Sequence, residues 1–310
     1  MNPMRGLLLA ASQNEWLRGQ ATRQAFVRKA VSRFMPGESL DEALEAAHGL
    51  GRDGLGVILT HLGENVTDRQ EADAVVAHYR EMIGRLRSSG LDAEVSIKLT
   101  QLGFDFSPER ALEHAATLAR WAADLPGHFW IDMEGSAYTE PTLQAYRRLR
   151  ADHPRIGVAV QAYLYRTVED VKQLLDMGAA IRLVKGAYQE AAAIAHPDRA
   201  AVDAAFFDLA KRALEPEARQ KGAWLTVGTH DVRLIAAIET HADATGVPRD
   251  GFEFALLYGI GRAEQLRLAR SRRRTRVLIS YGTHWFPWYM RRLAERPANV
   301  GFVLRNLIAG

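Results

Sequence analysis

The chain has 310 residues, 47% of them hydrophobic and 25% charged, with 40 basic side chains against 37 acidic ones. That is enough apolar sequence for a large core, in one domain or two. The absence of cysteine excludes a disulfide framework, thiolate-bound zinc or iron–sulfur clusters, and thiol nucleophiles. A pI near 9.2 says little about partners unless the small cationic excess is clustered. The apolar run Gly6–Ala11 is too short to span a bilayer and is followed by no signal-peptide cleavage pattern, so a cytoplasmic chain is expected.

In chain order, Trp16–Phe34 has helical composition and spacing and is stopped by Pro36-Gly37. Ser39 followed by Glu42 has the pattern of a capping box, and Ala43, Leu44, Ala47 and Leu50 form one apolar stripe of a second helix. The pattern then changes. Short apolar, β-branched runs occur at Leu55–Thr60, Glu94–Leu99, His128–Met133, Ile156–Val160, Ala180–Val184, Ala223–Val227, Phe252–Leu256 and Thr275–Ser280. Helical segments lie between them, at Asp68–Ser88, Pro108–Ala123, Thr139–Asp152, Val168–Asp176, Ala201–Ala218, Val232–Thr245 and Glu264–Arg270.

Strands alternating with helices indicate parallel βα units, and eight of them close a barrel. Runs apolar on both faces, such as Ile156–Val160, suit a sheet covered by helices. The competing doubly wound sheet would announce a nucleotide site by Gly-x-Gly-x-x-Gly, and Gly259-Ile-Gly261 is followed by Glu264 where the third glycine should be. The expected architecture is an α/β (βα)8 barrel over residues 55–310 with an N-terminal helical extension over 1–54.

In such a barrel the chemistry sits at the carboxyl ends of the strands. Those ends carry His61 and Glu64, Lys98, Asp132 and Glu134, Gln161, Arg182 and Lys185, Thr229-His230-Asp231, Tyr258 and Tyr281. Lys98, Asp132, Gln161 and Arg182 lie within or at the edge of apolar runs, where burial is costly without partners. The set is rich in cations. On the last helix Trp285, Trp288, Arg292 and Glu295 share a face, and Arg291-Arg292 suits a planar carboxylate beneath an aromatic lid. Core tryptophans beside a solvated basic face are the competing reading.

Metal binding has little support, since the ten histidines show no chelating spacing and His61-x-x-Glu64 alone is a poor signal. Lys98 or Lys185, desolvated at the mouth, could form a Schiff base. Spacing alone therefore leaves an aldolase-like lyase and a cofactor-dependent oxidoreductase unseparated.

The sequence resembles the bacterial monofunctional proline dehydrogenases. The matching segments are Leu62-Gly-Glu64, Ser96-Ile-Lys-Leu-Thr-Gln-Leu-Gly103, Ile131-Asp-Met-Glu134, Gln161-Ala-Tyr-Leu-Tyr-Arg-Thr167, Arg182-Leu-Val-Lys-Gly-Ala-Tyr188, Thr229-His-Asp231, Phe252-Glu-Phe254 with Leu257-Tyr-Gly259, Tyr281-Gly282, and Arg291-Arg-Leu-Ala-Glu-Arg-Pro297. The resemblance implies a distorted barrel with non-covalent FAD across the strand ends. It also implies oxidation of L-proline to Δ1-pyrroline-5-carboxylate by hydride transfer to flavin N5, with a quinone as electron acceptor. Lys98, Arg291 and Arg292 would hold the substrate carboxylate. Asp132 would lie near flavin and substrate, and Arg182 near N5. Met133, Gln161, Lys185, Gly186, Ala187, Thr229, His230 and Glu295 would contact FAD. Tyr188, Leu257 and Tyr281 would wall the proline ring, and Glu64 would pair with Arg291 to gate access.

Four departures stand out: Thr60 for an aspartate, Ala255 for a glutamine, Ser280 for a proline, and Trp288 for a tyrosine. The larger indole leaves another cyclic secondary amino acid, hydroxyproline or pipecolate, as an alternative substrate. Arg267, Arg270, Arg272-Arg273-Arg274 and Arg276 form a basic run at the opposite end of the barrel. It could dock the protein on anionic lipid at the inner face of the cell membrane, where quinone is found, or be a solvated loop. A catalytically silent protein that binds through this basic surface is the alternative from another class; nucleic acid is not expected as a partner, and the sequence leaves the oligomeric state open.

Overall fold

A computed structural model describes residues 31–295, with side chains through Arg291. The expected helix Trp16–Phe34 lies outside the described residues for all but its C-terminal end. The elements run α1 (Leu40–Arg52), β1 (Gly56–His61), α2 (Arg69–Ser89), β2 (Ala93–Ile97), α3 (Pro108–Trp121), β3 (Phe129–Ile131), α4 (Thr139–Asp152), β4 (Ile156–Gln161), α5 (Thr167–Asp176), β5 (Ala180–Val184), α6 (Arg199–Leu214), α7 (Pro216–Gln220), β6 (Trp224–Gly228), α8 (Val232–Ala244), β7 (Glu253–Leu257), α9 (Arg262–Arg270), β8 (Arg274–Tyr281) and α10 (Trp285–Glu295).

Local chemistry sets the element ends. At α1, Ser39 accepts from the Glu42 amide while Glu42 reaches back to the Ser39 amide at 2.9 Å, a complete capping box of about 1 kcal/mol. At α2 the Asp68 side chain alone caps, accepting from the Gln70 and Glu71 amides, and Gly90, at φ +70°, ends the helix. The segment expected as one helix over 201–218 is two. Pro216 has no amide to continue α6 and instead opens α7 at a position where none is needed.

All strand pairs are parallel, and β8 pairs with both β7 and β1, so the sheet closes into a barrel in the order β1 to β8. Period-2 alternation then sorts the side chains. Val57, Leu59, Val277, Ile279 and Tyr281 join the layer between sheet and helices, which is the main core. Ile58, Trp130, Ala180 and Ala255, with Trp224 and Leu278 against them, form a separate cluster that fills the barrel interior. Gly157 faces Trp130, whose ring would lie 2.4 Å from any Cβ placed there, so the indole fits only because that position is glycine.

Arg267, Arg273 and Arg276 of the arginine run are paired with carboxylates, while Arg270, Arg272 and Arg274 are exposed. Arg267 bonds Glu239 at 2.6 Å and Glu264 at 2.7 Å, and Arg273, buried, bonds Asp243 at 2.5 Å. Arg276 points into the barrel, where it is 1% exposed and lies 2.9 Å from Glu253, 3.4 Å from Glu94 and 2.9 Å from Asp92. Glu94 also accepts from Trp130 Nε1 at 2.6 Å and from the His128 amide at 2.7 Å. The amino-terminal end of the barrel is thus plugged by a buried ionic network.

Candidate active site

At the other end of the barrel, alternation along β2 puts Ser96 and Lys98 on the inner face, and Asp132 follows β3 at the same level. Ser96 Oγ donates to Asp132 at 2.8 Å and accepts from Arg182 at 2.9 Å; Arg182 also donates to Asp132, and Lys98 Nζ lies 3.4 Å from the same carboxylate. Burial alone would raise the Asp132 carboxyl. The charges of Arg182 and Lys98, with the Ser96 hydrogen bond, reverse that and hold it below its ordinary range, so it is ionised.

Two cations share this one carboxylate. Arg182 stacks on Trp130, 5.2 Å from the ring centre, and its buried Nη1 has no hydrogen-bond partner among the described residues. A buried donor left this way is costly, and a surplus positive charge adds to the cost. An anionic or electron-rich ligand would relieve both.

Across the mouth, Arg291 of α10 forks onto Glu64, with Nη2–Oε1 at 2.6 Å and Nη1–Oε2 at 3.1 Å, and lies over the Tyr188 ring at 5.4 Å. Glu134 is 3% exposed; burial first, and then the charge of Glu64, push its carboxyl up to about 7 despite hydrogen bonds from Thr100.

A third group follows β3 to β7. Gln161 Nε2 donates to the Glu134 carbonyl at 2.9 Å, and Met133 is buried beside it in sequence. Lys185 bonds Asp203 and, at 3.0 Å, Asp231, which also accepts from Arg199 at 3.2 Å. Burial would raise Asp231, but Lys185 and Arg199 hold it at about 2. Gly186, at φ +116°, lies so close to Tyr163 that a Cβ would stand 2.2 Å from the ring, so the tyrosine packs directly on its backbone beside the half-buried Ala187. Thr229 Oγ1 accepts from the Asp231 amide at 3.2 Å, and His230 Nε2 accepts from the Leu257 amide at 3.2 Å.

Of the expected site residues, the strand-end set Lys98, Asp132, Gln161, Arg182, Lys185, Thr229, His230 and Leu257 therefore converges on one mouth, with Glu64, Tyr188 and Arg291 across it. Tyr281 does not. It lies in the layer outside the barrel wall, its hydroxyl 2.7 Å from His78 Nε2 of α2, because its place in β8 has the outward parity. Leu278, the register partner of Leu257, holds the inner face instead. The side chains of Arg292 and Glu295 lie outside the described residues. Trp285 and Trp288 are buried, Trp285 Nε1 donating to Glu38 at 2.8 Å, so on the described face the tryptophans are core.

Sequence reasoning missed Ser96 and Leu278. Each was legible from parity, since Ser96 is two residues before Lys98, and Leu278 is two before Ser280 and two after Arg276.

A closed parallel barrel with a polar, cation-rich set at the strand ends defines the class: a (βα)8 protein of the enzyme type. The sequence profile described as proline dehydrogenase matches residues 43–305, and the chain belongs to that family. It is 37% identical over 305 residues to proline dehydrogenase 1 of Bacillus subtilis, covering 98% of this chain and 99% of the relative. It is 34% identical over 287 residues to proline dehydrogenase of Deinococcus radiodurans, covering 90% of each. Among solved structures, proline utilization A from Bdellovibrio bacteriovorus superposes with a TM-score of 0.78 at 24% identity over 86% of this chain, which spans 32% of that longer one. At that identity the likeness shows the fold alone.

Proposed function

We propose that the protein oxidises L-proline to Δ1-pyrroline-5-carboxylate with non-covalent FAD, and that a quinone takes the electrons. The observation that carries the reading is the Asp132–Arg182–Lys98 group, a buried, ionised cluster with surplus positive charge and a spare guanidinium donor, in a chain of this family.

The residues present fit the cofactor. Arg182 Nη1 offers a donor to an electron-rich ring edge, and Lys185 with Arg199, now paired with Asp203 and Asp231, would supply cations to a pyrophosphate that displaced those carboxylates. Met133, Gln161, Arg182, Lys185, Gly186, Ala187, Thr229, His230 and Glu295 are the proposed contacts. FAD when bound supplies the two-electron acceptor, the substrate giving up a hydride from carbon and a proton from nitrogen.

The chain's own residues do the positioning. Lys98, Arg291 and Arg292 are proposed to clamp the substrate carboxylate. Glu64 fills the Arg291 fork in the described structure, so a substrate carboxylate competes with it, which suits a gate. Asp132 holds Lys98 and Arg182 in register, and Arg182 stabilises negative charge that develops beside it. Leu257 and Tyr188 wall the ring, with Leu278 in the place expected of Tyr281.

The division into an extension at 1–54 and a barrel at 55–310 belongs to the same reading; α1 lays its buried stripe on β1 and β8. No helix among the described residues is long and apolar enough to cross a membrane. Peripheral membrane contact follows from the lipid solubility of a quinone rather than from the arginine run, of which Arg267, Arg273 and Arg276 are engaged by carboxylates.

Purified protein should be yellow, and anaerobic L-proline should bleach its flavin bands. A colourless protein overturns the cofactor assignment. A yellow one bleached by hydroxyproline or pipecolate but not by proline overturns the substrate.

A further inference from the structure

Glu134 lies at the end of β3, and its carboxyl is spent on one residue: Thr100 donates through Oγ1 to Oε1 at 2.5 Å and through its amide to Oε2 at 3.2 Å. Thr100 is itself fully buried, two residues beyond Lys98. It turns its remaining capacity to the loop after β1, where its Oγ1 accepts from the Asn65 amide at 3.1 Å and its carbonyl from the Val66 amide at 3.1 Å. Asn65 holds φ +55°, a left-handed conformation that costs a non-glycine residue, asparagine less than most, and that persists where the surroundings fix it. Immediately before it stands Glu64, whose carboxylate fills the Arg291 fork.

We propose that Glu134 is a positioning residue for the substrate gate: through Thr100 it anchors the strained loop at Asn65 and Val66 and so presents Glu64 to Arg291. Like its test on substrate, this rests on the reading of Glu64 and Arg291 as a gate for proline. An apolar residue at 134 would leave two buried Thr100 donors without acceptors and free the loop. Carboxyl chemistry also gives the anchor a charge that changes near neutrality, since burial and Glu64 push it up to about 7. The groups that face it are Glu64 from the loop, Lys98 from β2, Tyr138 from the turn after β3, Tyr188 from the segment after β5, and Arg291 from α10. Ionisation of Glu134 adds negative charge beside Arg291, which opposes an incoming carboxylate, so the KM for proline should rise as pH passes through about 7.

The test uses full-length, flavin-loaded protein. In Glu134→Ala and Thr100→Val, amide exchange over residues 62–66 should quicken about tenfold, and KM for L-proline should fall about tenfold with kcat within about threefold, because Glu64 no longer competes for the Arg291 fork. In a Glu64→Ala background, at pH below neutral, neither substitution should lower KM further, because there the anchor acts only through Glu64. Glu134→Gln, which keeps an acceptor, should retain slow exchange and the KM that the wild type shows at low pH, but lose the rise of KM near neutral pH. Unchanged exchange in both anchor variants, or an undiminished KM effect without Glu64, overturns the proposal. If the wild type does not oxidise proline, the proposed substrate fails, while the exchange measurement still decides whether Glu134 holds the loop.

Discussion

Both ends of the barrel carry a buried arginine among carboxylates, yet they are built to different rules. At the amino-terminal end Arg276 faces Glu94, Glu253 and Asp92, and no buried nitrogen of its guanidinium is without a partner. At the carboxyl-terminal end Arg182 and Lys98 share Asp132, and both Arg182 Nη1 and Ser280 Oγ are buried without a partner among the described residues. The first network satisfies its arginine and is acidic in balance, although the nearby Trp224 Nε1 is buried without a partner among the described residues; the second leaves its arginine a spare donor and is cationic. A charge-satisfied network contributes to specifying the fold, whereas a spare donor on a surplus buried cation is where an anionic or electron-rich ligand gains the most.

The largest effect should come from breaking the first network. Arg276→Met leaves Glu94 and Glu253 buried and facing each other without their cation, at a cost of about 3–5 kcal/mol. Thermal unfolding should fall by on the order of 10 °C, and adding Glu253→Gln should recover part of it. A variant with unchanged melting but lost turnover would assign chemistry to the wrong end.

Next comes the second network. Arg182→Lys keeps the charge beside Asp132 but loses the planar fork and the spare donor. Melting should stay within a few degrees, while proline-dependent flavin reduction in stopped flow slows about a hundredfold. If stability collapses instead, the two ends are not different in kind.

This contrast was only half legible in the sequence. The strands announce themselves because a parallel sheet covered by helices makes continuous apolar runs, and each observed strand lies within two residues of its expected span. The strand-end residues followed from the barrel itself. What failed was parity combined with distance. Arg272-Arg273-Arg274 and Arg276 read as one basic surface, but β8 starts at Arg274 and turns Arg276 inward, toward glutamates contributed by β2 and β7, far away in the chain. Tyr281 failed by the same parity, one residue past the inward Ser280. A one-residue shift within a strand moves a side chain from the substrate side to the helix side.

The smallest effect probes the part of the run that lies outside the plug. Arg272 is exposed in the turn between α9 and β8 and adopts φ +57°, where a Cβ meets the following carbonyl. Glycine adopts this conformation freely, though it loses more entropy on folding, so Arg272→Gly should gain about 0.5–1 kcal/mol. Differential scanning calorimetry should show a rise of roughly 1–3 °C, with proline oxidation unchanged. The sign is the decisive reading. If the Arg272 charge supported the acidic plug beneath it, its removal would lower the melting temperature, and the plug would have to be drawn wider than Arg276 and its three carboxylates.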